Sequence, residues 1–353
     1  MFKSIQRRYF QGRIIDINIW AEKIKSVCEK WLIKTPTLSA TDNNSFGFKS
    51  KDNNRRKSIQ VWQTGSLYLA LKEIDPQNVI LNRSKRIIAE EYACDKITDS
   101  DYGLLCFALN DSRSIDLLSE KMIDYINTCK TKNDIIFYKS TVKGVAFVDT
   151  LGFVCPFLTK YGIINNDSYY IGLSKKQIEN YFENGLEKHC ELPFHAYNID
   201  DGTYRGICDW ARGLAWLLIA LMDSYLCLRD SDVEDEFYCE KIVKYADILC
   251  KLQKQSGAYS WQLLSPNKDS DSSATAVFGW YLANCYLLFK NKKYLDVAVK
   301  IKEYLRSVTF NNGIIDYCQG DTISIGIYSR SFDKMPFAQA FALRMQNVLK
   351  IYE

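Results

Sequence analysis

Six prolines and 17 glycines in 353 residues are too few for a loop-rich β-sandwich. Histidine is nearly missing, with only His189 and His195. The 12 cysteines are scattered singly, and none forms a Cys-x-x-Cys pair. Zinc sites draw on paired Cys and His, so this distribution argues against a bound metal. Isolated thiols of this kind fit a reducing compartment and predict a cytosolic protein. No apolar stretch follows Met1-Phe2-Lys3-Ser4-Ile5-Gln6-Arg7-Arg8-Tyr9, so no signal peptide is expected. No uncharged run approaches the length that spans a bilayer. A net charge of +4, dispersed along the chain, is too small to suggest a nucleic-acid partner.

What the chain has in plenty is aromatic residues, 14% of the total. Both sugar-binding sites and large helical cores use them. The stretch Asp209-Trp210-Ala211-Arg212-Gly213-Leu214-Ala215-Trp216 sets an arginine between two tryptophans at helical spacing. Aromatic faces beside one fixed guanidinium suit a flat, oxygen-rich anion such as a sugar acid. The competing reading makes both tryptophans core and pairs Arg212 with Asp200, Asp201 or Asp209.

The order of segments decides the fold class. Amphipathic helices, such as Ile15 to Ile33 and Tyr294 to Val308, alternate about six times with helices apolar on nearly all sides. An amphipathic helix buries one stripe, whereas an all-apolar helix is buried all round. The alternation predicts two concentric helical rings, an (α/α)6 toroid formed as a single domain over residues 1 to 353. The inner helices are predicted at 58–74, 101–109, 149–160, 209–228, 272–289 and 336–349, with Thr35 to Lys57 as a polar loop. Parallel inner helices bring their N-termini to one end, where Trp62, Asp101, Asp149, Trp210, Arg212 and Ser272 gather. Clustered N-termini also favour an anion.

Two carboxyl groups are candidates for proton transfer. Asp149 sits in the apolar stretch Phe147-Val148-Asp149-Thr150-Leu151, surroundings that favour a protonated carboxyl. Asp101 lies in Asp99-Ser100-Asp101-Tyr102-Gly103. Either is equally at home as a helix N-cap. His195, in Pro193-Phe194-His195-Ala196-Tyr197, falls in a loop near the same end, where a structural hydrogen bond is the plainer reading. Asp271-Ser272-Ser273-Ala274 reads as well as a cap cluster.

These pieces, in this order, resemble the unsaturated uronyl hydrolases, glycoside hydrolase families 88 and 105. The resemblance runs from about Trp62 to the last helix. It rests chiefly on Phe147-Val148-Asp149-Thr150-Leu151 with Pro156-Phe157-Leu158, and on the Trp210 to Trp216 motif. It implies Asp149 as general acid/base, Asp101 as its partner, and His195, Arg212 and the tryptophans Trp62, Trp210 and Trp216 around a uronate. It implies an acidic oligosaccharide substrate with no metal or nucleotide. One departure is Leu214, where the family often carries a polar amide, which removes support for the usual sugar-hydroxyl contacts. Two readings compete: a carbohydrate-binding or assembly protein of polysaccharide biosynthesis, and a sugar epimerase, disfavoured by the scarcity of histidine.

Overall fold

The computed structural model describes residues 16–37, 53–92, 96–111 and 116–352, so most of the stretch Thr35 to Lys57 lies outside the described residues. Among the described residues, twelve α-helices alternate between two kinds. Those with one buried stripe are α1 (Ile17–Lys34), α3 (Val79–Tyr92), α5 (Leu117–Thr128), α7 (Ser168–Asn184), α9 (Glu236–Leu252) and α11 (Lys292–Ser307). Those interleaved with them are α2 (Asn53–Ile74), α4 (Tyr102–Leu109), α6 (Val148–Asn165), α8 (Ala211–Arg229), α10 (Ser272–Phe289) and α12 (Pro336–Leu349). In α4 every residue is buried, and in α8 nearly every one.

The interleaved set forms the inner ring. Each member packs on the next, and α12 closes on α2. The striped helices pack outside, α5 on α4, α7 on α6, α9 on α8 and α10, and α11 on α10. This is the (α/α)6 toroid expected from the alternation. Helix starts follow local chemistry: the side chains of Asp116, Asp167, Asp235, Asp271 and Asn291 each accept a backbone N–H of the first turn. Pro336 opens α12, where its missing N–H is no loss. By contrast α6 does not stop at the expected 160. It runs through Pro156 to Asn165, because burial on nearly all sides outweighs the proline. The helix α8 is long and apolar enough by length and composition to cross a membrane, but 89% of its most apolar stretch is buried inside the protein.

The ring has two unlike ends. At the C-terminal end Lys72 donates to the carbonyls of Ala108 and Asn110, and Lys160 to those of Phe107 and Asn110, which satisfies the orphan carbonyls of the short α4. Arg344, fully buried, donates to both carboxylate oxygens of Glu73 and of Asp223 and stacks on Trp280 at 4.2 Å. At the N-terminal end a small antiparallel sheet joins β1 (Val145–Phe147), β2 (Ala196–Asn198) and β3 (Tyr204–Arg205) in that order. A second pair, β4 (Cys318–Gln319) and β5 (Phe332–Asp333), carries the loop 320–331.

Close approach within the ring is set by glycine. A Cβ on Gly65 would meet the Leu105 backbone at 2.8 Å, one on Gly152 the Trp216 carbonyl oxygen at 2.9 Å, and one on Gly103 the Phe153 carbonyl oxygen at 2.3 Å. Gly103→Ala should therefore invert the usual gain of about 1 kcal/mol for alanine in a helix. Overpacking against fixed backbone is expected to lower stability by about 1–3 kcal/mol. Urea denaturation of the two proteins measures this, and a variant more stable than the wild type would contradict the close contact.

Candidate active site

At the N-terminal end of the ring lies a cavity of about 150 Å³, walled by Trp62, Asp101, Tyr138, Lys139, Phe147, Asp149, Phe153, His195, Trp210, Arg212, Trp216 and residues 321–325. Of the eight residues singled out in the sequence, seven line it. Ser272 does not: its side chain lies buried with its hydroxyl 3.3 Å from the Tyr304 hydroxyl. One residue further, about 100° round the helix, Ser273 faces Arg212 instead. Asp271 is the N-cap of α10, so that cluster is first of all a helix start.

The sheet brings Asp149 and His195 together. Phe147 pairs with Ala196, and one further bond, from Val148 N–H to the His195 carbonyl at 3.0 Å, sets His195 beside the first turn of α6. Asp149 is the second residue of that helix and not its cap, a place held by Phe147, so the capping alternative does not apply to it. His195 Nε2 stands 3.5 Å from Asp149 Oδ2, and Nδ1 lies 3.1 Å from the Tyr328 hydroxyl. That Asp149 oxygen is buried and has no hydrogen-bond partner of acceptable geometry.

Asp101 precedes α4 with helical backbone angles, and its side chain makes no cap bond. Burial pushes its carboxyl well above the usual range and Asp99 adds to this; Lys139 and a hydrogen bond from Tyr138 oppose it, while Asp149 raises it further. Asp101 is thus the wall group biased toward its protonated form.

Arg212 is 2% exposed. It donates to the carbonyls of Gln319 at 2.8 Å and Gly320 at 2.9 Å and to Ser273 Oγ at 3.3 Å, and it lies over Trp210 at 5.3 Å. No carboxylate of the described residues comes within 4.0 Å of it, so the expected pairing with Asp200, Asp201 or Asp209 is absent. Ser273 gives its own proton to Asp271, which also accepts the Gln319 N–H and so ties β4 to α10. Trp210 precedes α8 instead of lying within it, and its indole donates to Gln319 Oε1 at 3.0 Å. Trp62, Phe153, Trp216 and Phe337 pack together beneath, with the two indoles edge to face at 5.4 Å.

Tyr138, Lys139 and the loop 321–325 carry no mark in the sequence. They sit in irregular segments, where no periodicity marks a buried face. Phe147 belongs to the motif around Asp149, and Phe153 lies two residues beyond it.

A family model for Glycosyl Hydrolase Family 88 matches residues 74–334. The chain belongs to this family. It is a glycosidase with an (α/α)6 toroid. No curated protein sequence matches it. Among solved structures, a possible member of glycoside hydrolase family 105 from Klebsiella pneumoniae is similar at 17% identity and a TM-score of 0.78, covering 97% of this chain and 96% of that one. Another possible member, from Salmonella enterica serovar Paratyphi A, gives 19% identity and 0.74 over 92% and 94%. The unsaturated glucuronyl hydrolase of Bacillus sp. GL1, described as responsible for glycosaminoglycan degradation, gives 15% and 0.63 over 93% and 96%. At such identities these likenesses speak to the fold.

The raised carboxyl of Asp101 has a consequence for this glycosidase's stability. A group whose folded pKa exceeds its unfolded value binds more protons when folded. Its contribution is fully present below the unfolded pKa and is lost as pH rises through the folded one. Asp101→Asn, which stays neutral, should therefore melt higher than the wild type at neutral pH, with the difference closing below about pH 4. Thermal melts across that range test it; a variant that melts lower at neutral pH would show Asp101 to be a structural acceptor instead.

Proposed function

We propose that this glycosidase removes a 4,5-unsaturated uronyl residue from the end of an acidic oligosaccharide by hydrating its vinyl ether. The observation that carries the reading is Arg212, a buried guanidinium with no carboxylate partner, in the same cavity as two carboxyl groups. A buried cation without a counter-ion is costly, and a ligand carboxylate would satisfy it. The first turns of the inner helices add a positive field at the same end. Relatives described as unsaturated glucuronyl hydrolases share the fold.

In this reading Asp149 donates a proton to C4. Positive charge develops at C5 and is shared with the ring oxygen. Water adds to C5 and returns its proton to the Asp149 carboxylate, so the acid is regenerated. The hemiketal opens to a ketone, and collapse at C1 releases the neighbouring sugar as an alcohol. Asp101 keeps a second exchangeable proton beside the first. Trp210 and His195 wall the sugar ring, and Trp62 and Trp216 form the floor beneath it.

Asp149→Asn is nearly isosteric and removes no cap, so the fold should survive it. Its helix-dipole contribution is worth only about 0.3–1 kcal/mol. Loss of a general acid/base costs about 10²–10⁴-fold, so turnover should fall at least a hundredfold. The assay follows the loss of ultraviolet absorbance of an unsaturated disaccharide. A variant that melts like the wild type and retains more than about a tenth of its rate would remove Asp149 from the mechanism. A wild type that consumes no unsaturated uronyl substrate would favour a binding or assembly role.

Arg212→Lys keeps the charge but loses the planar fork. One charge-assisted bond is worth about 1.5–3 kcal/mol, so affinity for the disaccharide should fall roughly 10- to 100-fold. Calorimetric titration into the Asp149→Asn background, which turns the ligand over slowly, measures this. Unchanged affinity with a lowered melting temperature would make Arg212 structural only.

A further inference from the structure

The structure assigns Tyr328 a positioning role: its phenol holds His195 as the Nε2–H tautomer and so sets an N–H, not a lone pair, beside Asp149. Tyr328 lies on the loop 320–331 and is not a wall of the cavity; it stands behind His195. Its oxygen accepts the Ile207 N–H at 3.1 Å and lies 3.1 Å from His195 Nδ1. The phenol proton remains to be donated, and among the described residues Nδ1 is the acceptor it meets. Burial, with Asp149 nearby, pushes the phenol up to about 12, so it keeps that proton. A neutral imidazole that accepts at Nδ1 carries its hydrogen on Nε2.

That hydrogen lies on the Asp149 side of the ring. Nε2 is 3.5 Å from Asp149 Oδ2, a buried oxygen that accepts no hydrogen bond among the described residues. The opposite tautomer would set a lone pair against a carboxylate. At that separation, outside hydrogen-bond geometry, the N–H acts on Oδ2 through its partial positive charge and leaves Oδ1 for the sugar. Local sequence is shaped around the contact. Gly206 has φ +78°, and a Cβ there would stand 2.6 Å from the Tyr328 oxygen and 2.7 Å from His195 Cβ. The Trp210 ring packs on His195 at 4.7 Å and on Tyr328 at 5.4 Å, which holds both planes.

The consequence for rate rests on the reading of Asp149 given above; the tautomer does not. The chain's two histidines make the test direct. In His189→Gln, which removes an exposed imidazole, ¹⁵N-histidine labelling leaves His195 alone to be observed. Its ring nitrogens in alkaline buffer should show a protonated Nε2 and a bare Nδ1. Adding Tyr328→Phe, which keeps the ring, should shift the spectrum toward a mixture of tautomers. In the otherwise unaltered enzyme, Tyr328→Phe should lower kcat about tenfold, the worth of one net hydrogen bond, with little change in KM. A protonated Nδ1 in the parent, or a spectrum unmoved by Tyr328→Phe, would overturn the proposal. A tautomer shift without loss of kcat would overturn its catalytic half. If the wild type consumes no unsaturated uronyl substrate, the functional reading fails while the tautomer result stands on its own.

Discussion

Closure of the inner ring, α12 against α2, is the constraint that the other features obey. Six parallel helices in a closed ring leave no free lateral face, so each must be apolar almost all round. Polar side chains are then confined to the two ends. The same arrangement exposes unpaired N–H groups at one end and unpaired carbonyls at the other. The two ends answer with different chemistry. Lysines and an ion-paired arginine close the carbonyl end, while two carboxyl groups and an arginine with no carboxylate partner face the cavity at the other.

The two buried arginines make the contrast sharp. Arg344 and Arg212 are each about 1–2% exposed, and each lies over an indole. Arg344 meets two carboxylates with both edges of its fork and is complete within the protein. Arg212 meets two carbonyls and a hydroxyl, which fix its direction without neutralising its charge. Removing a partner from a buried ion pair typically costs about 3–5 kcal/mol, so the arrangement around Arg344 is retained for the fold. In the proposed function, an arginine oriented by neutral groups is left open to an anion from outside. Residue type and burial do not separate the two roles; the partners do.

How much of this was legible follows from where each residue sits. The bounds of α10 and α12 were readable to the residue, because Asp271 and Pro336 mark abrupt entries into apolar runs. The end of α6 was not: the expected bound at 160 falls short of Asn165, where Asn166 in the left-handed region caps the helix. Trp62, Asp101, Asp149, Trp210 and Arg212 were accessible because parallel inner helices converge at one end, and Trp216 through its spacing from Arg212. Ser272 failed by one position: convergence identifies a turn, but the face depends on a rotation of 100° per residue. Tyr138, Lys139 and Tyr328 come from segments whose path is set by distant partners, such as the pairing of Gln319 with Phe332.

The cavity's two halves differ in how they are held. Asp101, Arg212 and the floor of Trp62 and Trp216 belong to ring helices or their first turns, and are fixed by the same packing that closes the ring. His195 and residues 321–325 are carried on strands and loops above it. They reach the ring through a few directional bonds: Val148 N–H to His195, Gln319 N–H to Asp271, and Arg212 to Gln319 and Gly320. Arg212 therefore joins the two halves as well as facing the cavity. A charge that enters the cavity and pairs with Arg212 acts on the side chain that ties the overlying loop to the ring.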